Sequence, residues 1–250
     1  MQFEKWINGA EELPQYLKTA KTMFLSKEDS EFPEVGNVRI ISMLCATVKL
    51  WEQILHKKLK EDIAIKAPIS EQQRGFVTGG GCLRNIDEVI TLVSKIRKDS
   101  MKNASGGKKP KEYLFFLDLK KAFDSIDRTM LIEQMIKKGV HTSLVRATRE
   151  LYQGMSLRVG REEVPTNIGV VQGGVTSPLL FNFYINELVE AMHKFGTCLA
   201  LADDIIIHVK GDLQLNLMIN ALKKLCGELK LTLSLKKSAV MEIKKKKQRS

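Results

Sequence analysis

Residues 198–209 read CLALADDIIIHV, and two adjacent carboxylates, Asp203 and Asp204, interrupt a run that is otherwise apolar. An unpaired carboxylate is costly to bury. Either the pair sits in water at a hairpin tip, or something cationic meets it there. A third acid, Asp118, closes the apolar run LFFLDL in the same manner. If the two runs are neighbouring strands of one sheet the three acids converge, and such a cluster repels itself unless divalent cations are present. Oxygen ligands without His or Cys nearby favour hard ions, Mg²⁺ or Mn²⁺. Two such ions ~3.5–4 Å apart suit phosphoryl transfer, one activating the attacking oxygen and one the leaving oxygen. The plainer alternative makes Asp118 and Asp204 cap or turn residues, and the pattern alone leaves both open.

The elements that must position these acids are legible in outline. Residues 112–119, EYLFFLDL, predict a buried strand, and residues 198–209 predict strand, turn, strand with Ala202–Asp203–Asp204 at the tip. Val48, Trp51, Leu55 and Leu59 recur at helical spacing within 44–62 and predict a helix packed on one face. Residues 98–111, polar, basic and Gly-containing, read as a loop. Asp127 as N-cap and Gly139 as stop predict a helix over 127–140, with another over 142–153. MSLRVGREEVPTNIGV predicts a hairpin turning at Gly160. Ser177 suits an N-cap and Pro178 the first turn of a helix that stops near Gly196. A helix over 213–228 and strands over 230–234 and 238–243 complete the reading. Helices and strands mix without strict alternation, which predicts an α+β fold.

Composition narrows the partners. The chain has 250 residues, 44% apolar and 28% charged, as a globular protein with a core would. No apolar run reaches the ~18–20 residues that span a bilayer, so no membrane partner is expected. The N-terminus has no apolar segment of the secretory kind. Cys45, Cys82, Cys198 and Cys226 are scattered without metal-ligand spacing, which predicts reduced thiols in an intracellular compartment, whether nucleus, cytoplasm or organelle matrix. Forty Lys+Arg against 29 Asp+Glu give +11, which favours a polyanionic partner, nucleic acid above all, over a merely solvated surface. Residues 236–250 alone carry +6, either a backbone contact or a solvated end.

With those residues in view, three stretches resemble motifs A, B and C of the reverse transcriptases, the RNA-directed DNA polymerases, of the non-LTR retrotransposon and group II intron type. They are FLDLKKAFDSIDR (116–128), GVVQGGVTSPLLFNFYIN (169–186) and ALADDIII (200–207). NVRIISMLCATVKLWEQILHKKL (37–59), SEQQRGFVTGGGCLRNI (70–86) and LTLSLKKSAVM (231–241) resemble flanking fingers segments and motif D. The resemblance covers roughly residues 20–243, in order, and an ordered set is far more specific than one Asp-Asp pair. It implies a right-hand polymerase with fingers (20–111) and a palm (112–243) whose antiparallel sheet is backed by helices. An N-terminal extension (1–19) and a basic tail (244–250) flank them.

The resemblance also implies roles. Asp118 and Asp203 match the two metal-binding acids, Asp204 the third, and two Mg²⁺ or Mn²⁺ ions the cofactors. Phe123 matches the aromatic gate that excludes a ribose 2′-OH, the group that separates RNA from DNA precursors; a core position is the alternative. Gln172 and Gly173 match the motif B pair against nucleotide and template, and Leu119 is placed with the substrate side. Arg39 matches the fingers arginine on the triphosphate, for which a planar guanidinium is suited. Lys27 stands near a second triphosphate contact, or is a solvated lysine. Lys237 matches the motif D lysine that could protonate departing pyrophosphate.

Departures accompany the match: Leu201 replaces the aromatic before Ala-Asp-Asp, Val171 precedes Gln172, Ile40 replaces the proline after Arg39, and Ser234 the motif D asparagine. The chain ends soon after motif D, so the thumb is expected to be absent and the grip on duplex to come from a protein partner. The expected substrates are an RNA template, a DNA or RNA primer and dNTP. The competing expectation is a domesticated, inactive palm serving as an RNA-binding or structural subunit of a ribonucleoprotein. An RNA-templated RNA polymerase is disfavoured, because QGGVTSP is motif B of the reverse-transcriptase kind.

Overall fold

The computed structural model describes residues 2–26, 38–102 and 110–244. In chain order it runs α1 (Gln2–Asn8), β1 (Thr19–Ser26), β2 (Val38–Met43), α2 (Ala46–Lys66), α3 (Cys82–Lys102), β3 (Glu112–Leu117), α4 (Arg128–Lys137) and α5 (Thr142–Tyr152). It continues with β4 (Ser156–Val159), β5 (Glu162–Pro165), α6 (Ser177–His193), β6 (Thr197–Leu201), β7 (Asp204–Lys210), α7 (Asp212–Glu228) and β8 (Ala239–Glu242). The fold is α+β. Among the described residues no helix is long and apolar enough to cross a membrane.

The chain forms two compact units, Met1–Ile69 with Phe123–Tyr184, and Ser70–Ala122 with Ile185–Ser250. Each is built from two separate stretches, so compactness divides the chain along a different line from the motif order.

The first unit holds a four-stranded sheet of order β2-β1-β4-β5, antiparallel except where β4 runs parallel to β1. Its core includes the face of α2 that the apolar spacing marks, Val48, Trp51, Leu55 and Leu59, and continues to Ile63 because the helix runs a turn further than its pattern predicts. Asp127 caps α4 as expected, its carboxylate accepting from Met130 N–H at 2.9 Å. Ser177 is the first residue of α6 rather than its cap.

The second unit holds the sheet β6-β7-β3-β8, antiparallel throughout. Tyr113, Leu114, Phe115 and Leu117 of β3 are buried, consistent with the central place that a near-continuous apolar run dictates. Two expectations need correction here. The loop read over 98–111 begins later, because 98–102 complete helix α3; lysine and methionine are good helix formers, and polarity alone does not break a helix. The strand read over 230–234 reduces to an isolated bridge, Leu119↔Leu233.

Candidate active site

The β6–β7 hairpin turns through two residues, Ala202 and Asp203, flanked by the pair Leu201↔Asp204. Ala202 takes a left-handed φ of +56°, an uncommon state for a residue with a Cβ that the surroundings must hold in place. The holder is Gln73, only 3% exposed. Its amide donates to the Ala202 carbonyl at 3.1 Å and accepts from the Ala202 N–H at 2.8 Å. Residues 72–74 run beside β6, with Arg74 N–H donating to the Ala200 carbonyl and Ala200 N–H donating to Gln72. Arg74 in turn reaches Asn85 (3.0 Å) and Glu88 (2.8 Å) on α3. A Cβ on Gly75 would fall 2.2 Å from the Ala202 nitrogen, so the strap lies against the turn itself.

Asp118 reaches the same end of the sheet from β3. The register ends on Leu117↔Ile205, which sets Asp118 one step beyond, level with Asp204. Its main chain is fixed by the segment before β8: Ser234 N–H donates to the Asp118 carbonyl (2.9 Å) and Asp118 N–H donates to Ser238 Oγ (3.1 Å). Burial, and then the charges of Asp204 and Asp118, push the Asp203 carboxyl above its ordinary value, while its own N–H and Lys237 pull the other way. Asp118, Asp203, Asp204 and Lys237 thus share one electrostatic neighbourhood. Asp204 and Lys237 are exposed; Asp118 and Asp203 are half-buried.

A crowd of like-charged oxygen donors fits a hard cation. Among the described residues no three His, Cys, Asp or Glu side chains close into a cage of their own. Such an ion would therefore rest on Asp118 and Asp203 with remaining positions filled by water and substrate oxygens, the coordination Mg²⁺ ordinarily takes. Leu119 is 4% exposed: its side chain belongs to the core, leaving only its main chain to meet a substrate.

The other predicted residues belong to the first unit. Phe123 is half-buried and stacks on the buried Phe181, centroids 4.4 Å apart and planes at 11°. Gln172 and Gly173 lie in the loop before α6, and Ser42 N–H on β2 donates to the Gln172 carbonyl at 2.8 Å. Gly173 has φ +117°, and a Cβ there would come 2.6 Å from the Ser42 oxygen, so its lack of a side chain is required by the protein itself. Arg39 is exposed on β2, opposite Leu25. Lys27 and residues 245–250 of the basic tail lie outside the described residues.

Beyond Gln73, sequence reasoning missed Glu52. It is fully buried on α2, with its carboxylate accepting from Val175 N–H (3.1 Å), Thr176 N–H (3.3 Å) and the Thr176 hydroxyl (2.7 Å) just before α6. Its signal was an acid four residues after Val48, on the apolar face of the helix.

A family profile described as "Reverse transcriptase (RNA-dependent DNA polymerase)" matches residues 25–249. The chain belongs to the reverse transcriptase family. It is 26% identical over 224 residues to the "Retrovirus-related Pol polyprotein from type-2 retrotransposable element R2DM" of Drosophila melanogaster, covering 83% of this chain and 20% of the relative. It is 26% identical over 214 residues to the R2 polyprotein of Popillia japonica (79% and 28%). It is 24% identical over 181 residues to the "Probable RNA-directed DNA polymerase from transposon BS" of D. melanogaster (70% and 19%). This reverse transcriptase chain thus spans only 19% to 28% of the length of these curated relatives. Among solved structures, telomerase from Candida tropicalis with a fragment of telomeric RNA superposes at TM-score 0.62 with 12% identity, covering 96% of this chain and 44% of that one. Apo telomerase from the same organism gives 0.60 at 14% identity, covering 96% and 48%. These likenesses show the fold, that of a right-hand polymerase.

Proposed function

We propose that this chain carries out RNA-directed DNA synthesis, transferring a nucleotidyl group from dNTP to a primer 3′-OH. The observation that carries the reading is the strained Ala202–Asp203 turn, clamped by Gln73 so that Asp203 stands beside Asp118 at one sheet end. Strain of this kind persists where the surroundings over-determine it, and it clusters at functional sites. Asp118 and Asp203 are the residues that would hold two Mg²⁺ or Mn²⁺ ions. When bound, these supply the positive charge that lets the acids crowd together and that stabilises negative charge on the transferring phosphoryl group.

The chain's own groups do the rest. Asp118 and Asp203 fix the reacting end of the site through main chains held by Ser234, Ser238 and Gln73. The primer hydroxyl gives its proton to solvent water and its oxygen bonds to the α-phosphorus; the bond from that phosphorus to the oxygen shared with the β-phosphate breaks. Lys237, exposed and within electrostatic reach of Asp203, gives the proton that departing pyrophosphate takes up. Arg39 grips the triphosphate, Gln172 meets the nucleotide, and Phe123 excludes a 2′-OH. The R2-type relatives make an RNA template and a retrotransposon setting the natural context, with duplex grip shared by a protein partner.

Primer extension on an RNA template with Mg²⁺ or Mn²⁺ tests this. Products that vanish in Asp118→Ala and with chelator support the reading. No Asp118-dependent product, alone or in native complex, would contradict it and favour an inactive palm with a structural role.

A further inference from the structure

We propose that Asp124 is a positioning residue for nucleotide selection, acting by locking the orientation of the Gln172 carboxamide. The inference rests on the polymerase reading above. It starts from one contact: Gln172 Nε2 donates to Asp124 Oδ1 at 2.7 Å. A carboxylate accepts and does not donate. It therefore decides which end of the amide turns toward it: the NH₂ group faces Asp124, and the carbonyl oxygen faces away. Without this partner the two ends of a glutamine are nearly isosteric and can exchange. With it, Gln172 offers a fixed acceptor to a hydroxyl or N–H donor of an incoming nucleotide.

The scaffold around the pair is built to hold Asp124 still. Val170 N–H donates to the Phe123 carbonyl at 2.9 Å, and Gly169 N–H to the Ile126 carbonyl at 2.8 Å. Arg128 Nε donates to the Gly169 carbonyl at 2.8 Å, and its Nη1 also reaches the Thr166 carbonyl. The guanidinium lies over the Tyr152 ring, 4.9 Å from its centroid. Residues 123–128 and 168–172 are thereby zipped together, so Asp124 stands at a fixed distance from Gln172. The pair is half-buried and lines a cavity of about 150 Å³ with Ile40, Ser42 and Val171. A polar pair whose only task was packing would have no need of an open cavity wall. Phe123, next in sequence and stacked on Phe181, takes its place from the same zipped segment.

The test compares Asp124→Ala, Asp124→Asn and Gln172→Ala by single-nucleotide addition. An asparagine keeps an oxygen that can accept from Nε2, so Asp124→Asn should stay within about threefold of the parent. Asp124→Ala should raise the dNTP KM about tenfold with kcat changed less than about threefold. Combining it with Gln172→Ala should add nothing further, since both remove one unit. Asp124→Glu, which moves the carboxylate by one methylene, should resemble Asp124→Ala and serves if that variant fails to fold. Multiplying effects, or a parental KM in Asp124→Ala, would overturn the proposal. A second readout does not need synthesis: the ¹⁵N side-chain amide resonance of Gln172 should move in Asp124→Ala and hold in Asp124→Asn. An unmoved resonance overturns the positioning role. No synthesis by the parent itself, with the resonance moved in Asp124→Ala, overturns the polymerase reading instead, whereas a parent that synthesises beside an Asp124→Ala variant that loses kcat overturns the positioning role.

Discussion

At the residue scale, the central fact is that a glutamine and two serines, not charges, hold the acids. Gln73 satisfies both backbone groups of Ala202, and leaving such buried groups unpaired costs about 1–3 kcal/mol. Gln73→Leu should therefore lower stability by about that amount. It should also lower the rate of nucleotide addition about a hundredfold, because small misplacements of reacting groups are that costly. Denaturant unfolding and single-turnover kinetics on one preparation check both. A stable variant with parental rate would release Asp203 from dependence on the clamp. Phe123 carries a different expectation. Its ring is fixed against Phe181, so shortening it to Val should leave the backbone in place and raise ribonucleotide use relative to dNTP about tenfold, worth about 1.4 kcal/mol. Competitive incorporation measures this, and an unchanged ratio would assign Phe123 to packing.

At the element scale, the legible and the hidden divide by physics. Apolar periodicity marked α2, β3, β6 and β7, because in each one face or both must leave water; turn chemistry alone marked the β4–β5 hairpin, whose strand β5 is exposed throughout. Helix α3 was missed although Ile86, Val89, Val93 and Ile96 recur at helical spacing; among its residues with described burial only Asn85 and Ile96 are buried. The strands β1 and β2 were missed because most of their residues are exposed or half-buried. Asp118 and Asp203 could be read as odd charges in apolar runs. Gln73 and Asp124 could not, because their meaning lies in partners far away in sequence, and Glu52 showed only as an acid on the apolar face of α2, its partners at Val175 and Thr176 hidden. Glu52 gives the pH prediction. Burial raises its carboxyl above the ordinary value of 4.5, against the hydrogen bonds from Thr176 and Val175. A raised pKa means the folded state holds the proton more tightly. The contribution is then fully present below the ordinary value and is lost as pH rises through the folded one. Unfolding free energy should fall across that window by at most about 1.4 kcal/mol per pH unit. Glu52→Gln should flatten that slope; an identical slope would mean other groups set it.

At the scale of the whole molecule, the net charge of +11 and the reverse-transcriptase fold point to the same class of partner. Binding to an RNA–DNA duplex should weaken linearly in log affinity against log salt. Deleting residues 244–250, which removes four Lys and Arg249, should make the slope shallower by up to about 0.9 for each phosphate left without its cation. Affinity that is flat with salt would place the binding energy elsewhere. Charge alone does not distinguish a polymerase from an inactive RNA-binding palm, whereas chemistry at the Ala202–Asp203 turn does. The deciding measurement is single-nucleotide addition to a primer on an RNA template in Mg²⁺, the parent beside Asp203→Asn. The account predicts template-directed addition by the parent and a loss of at least about a thousandfold in Asp203→Asn, whose amide keeps the size of the side chain but not its charge. Equal rates in the two, or none in either, would contradict it.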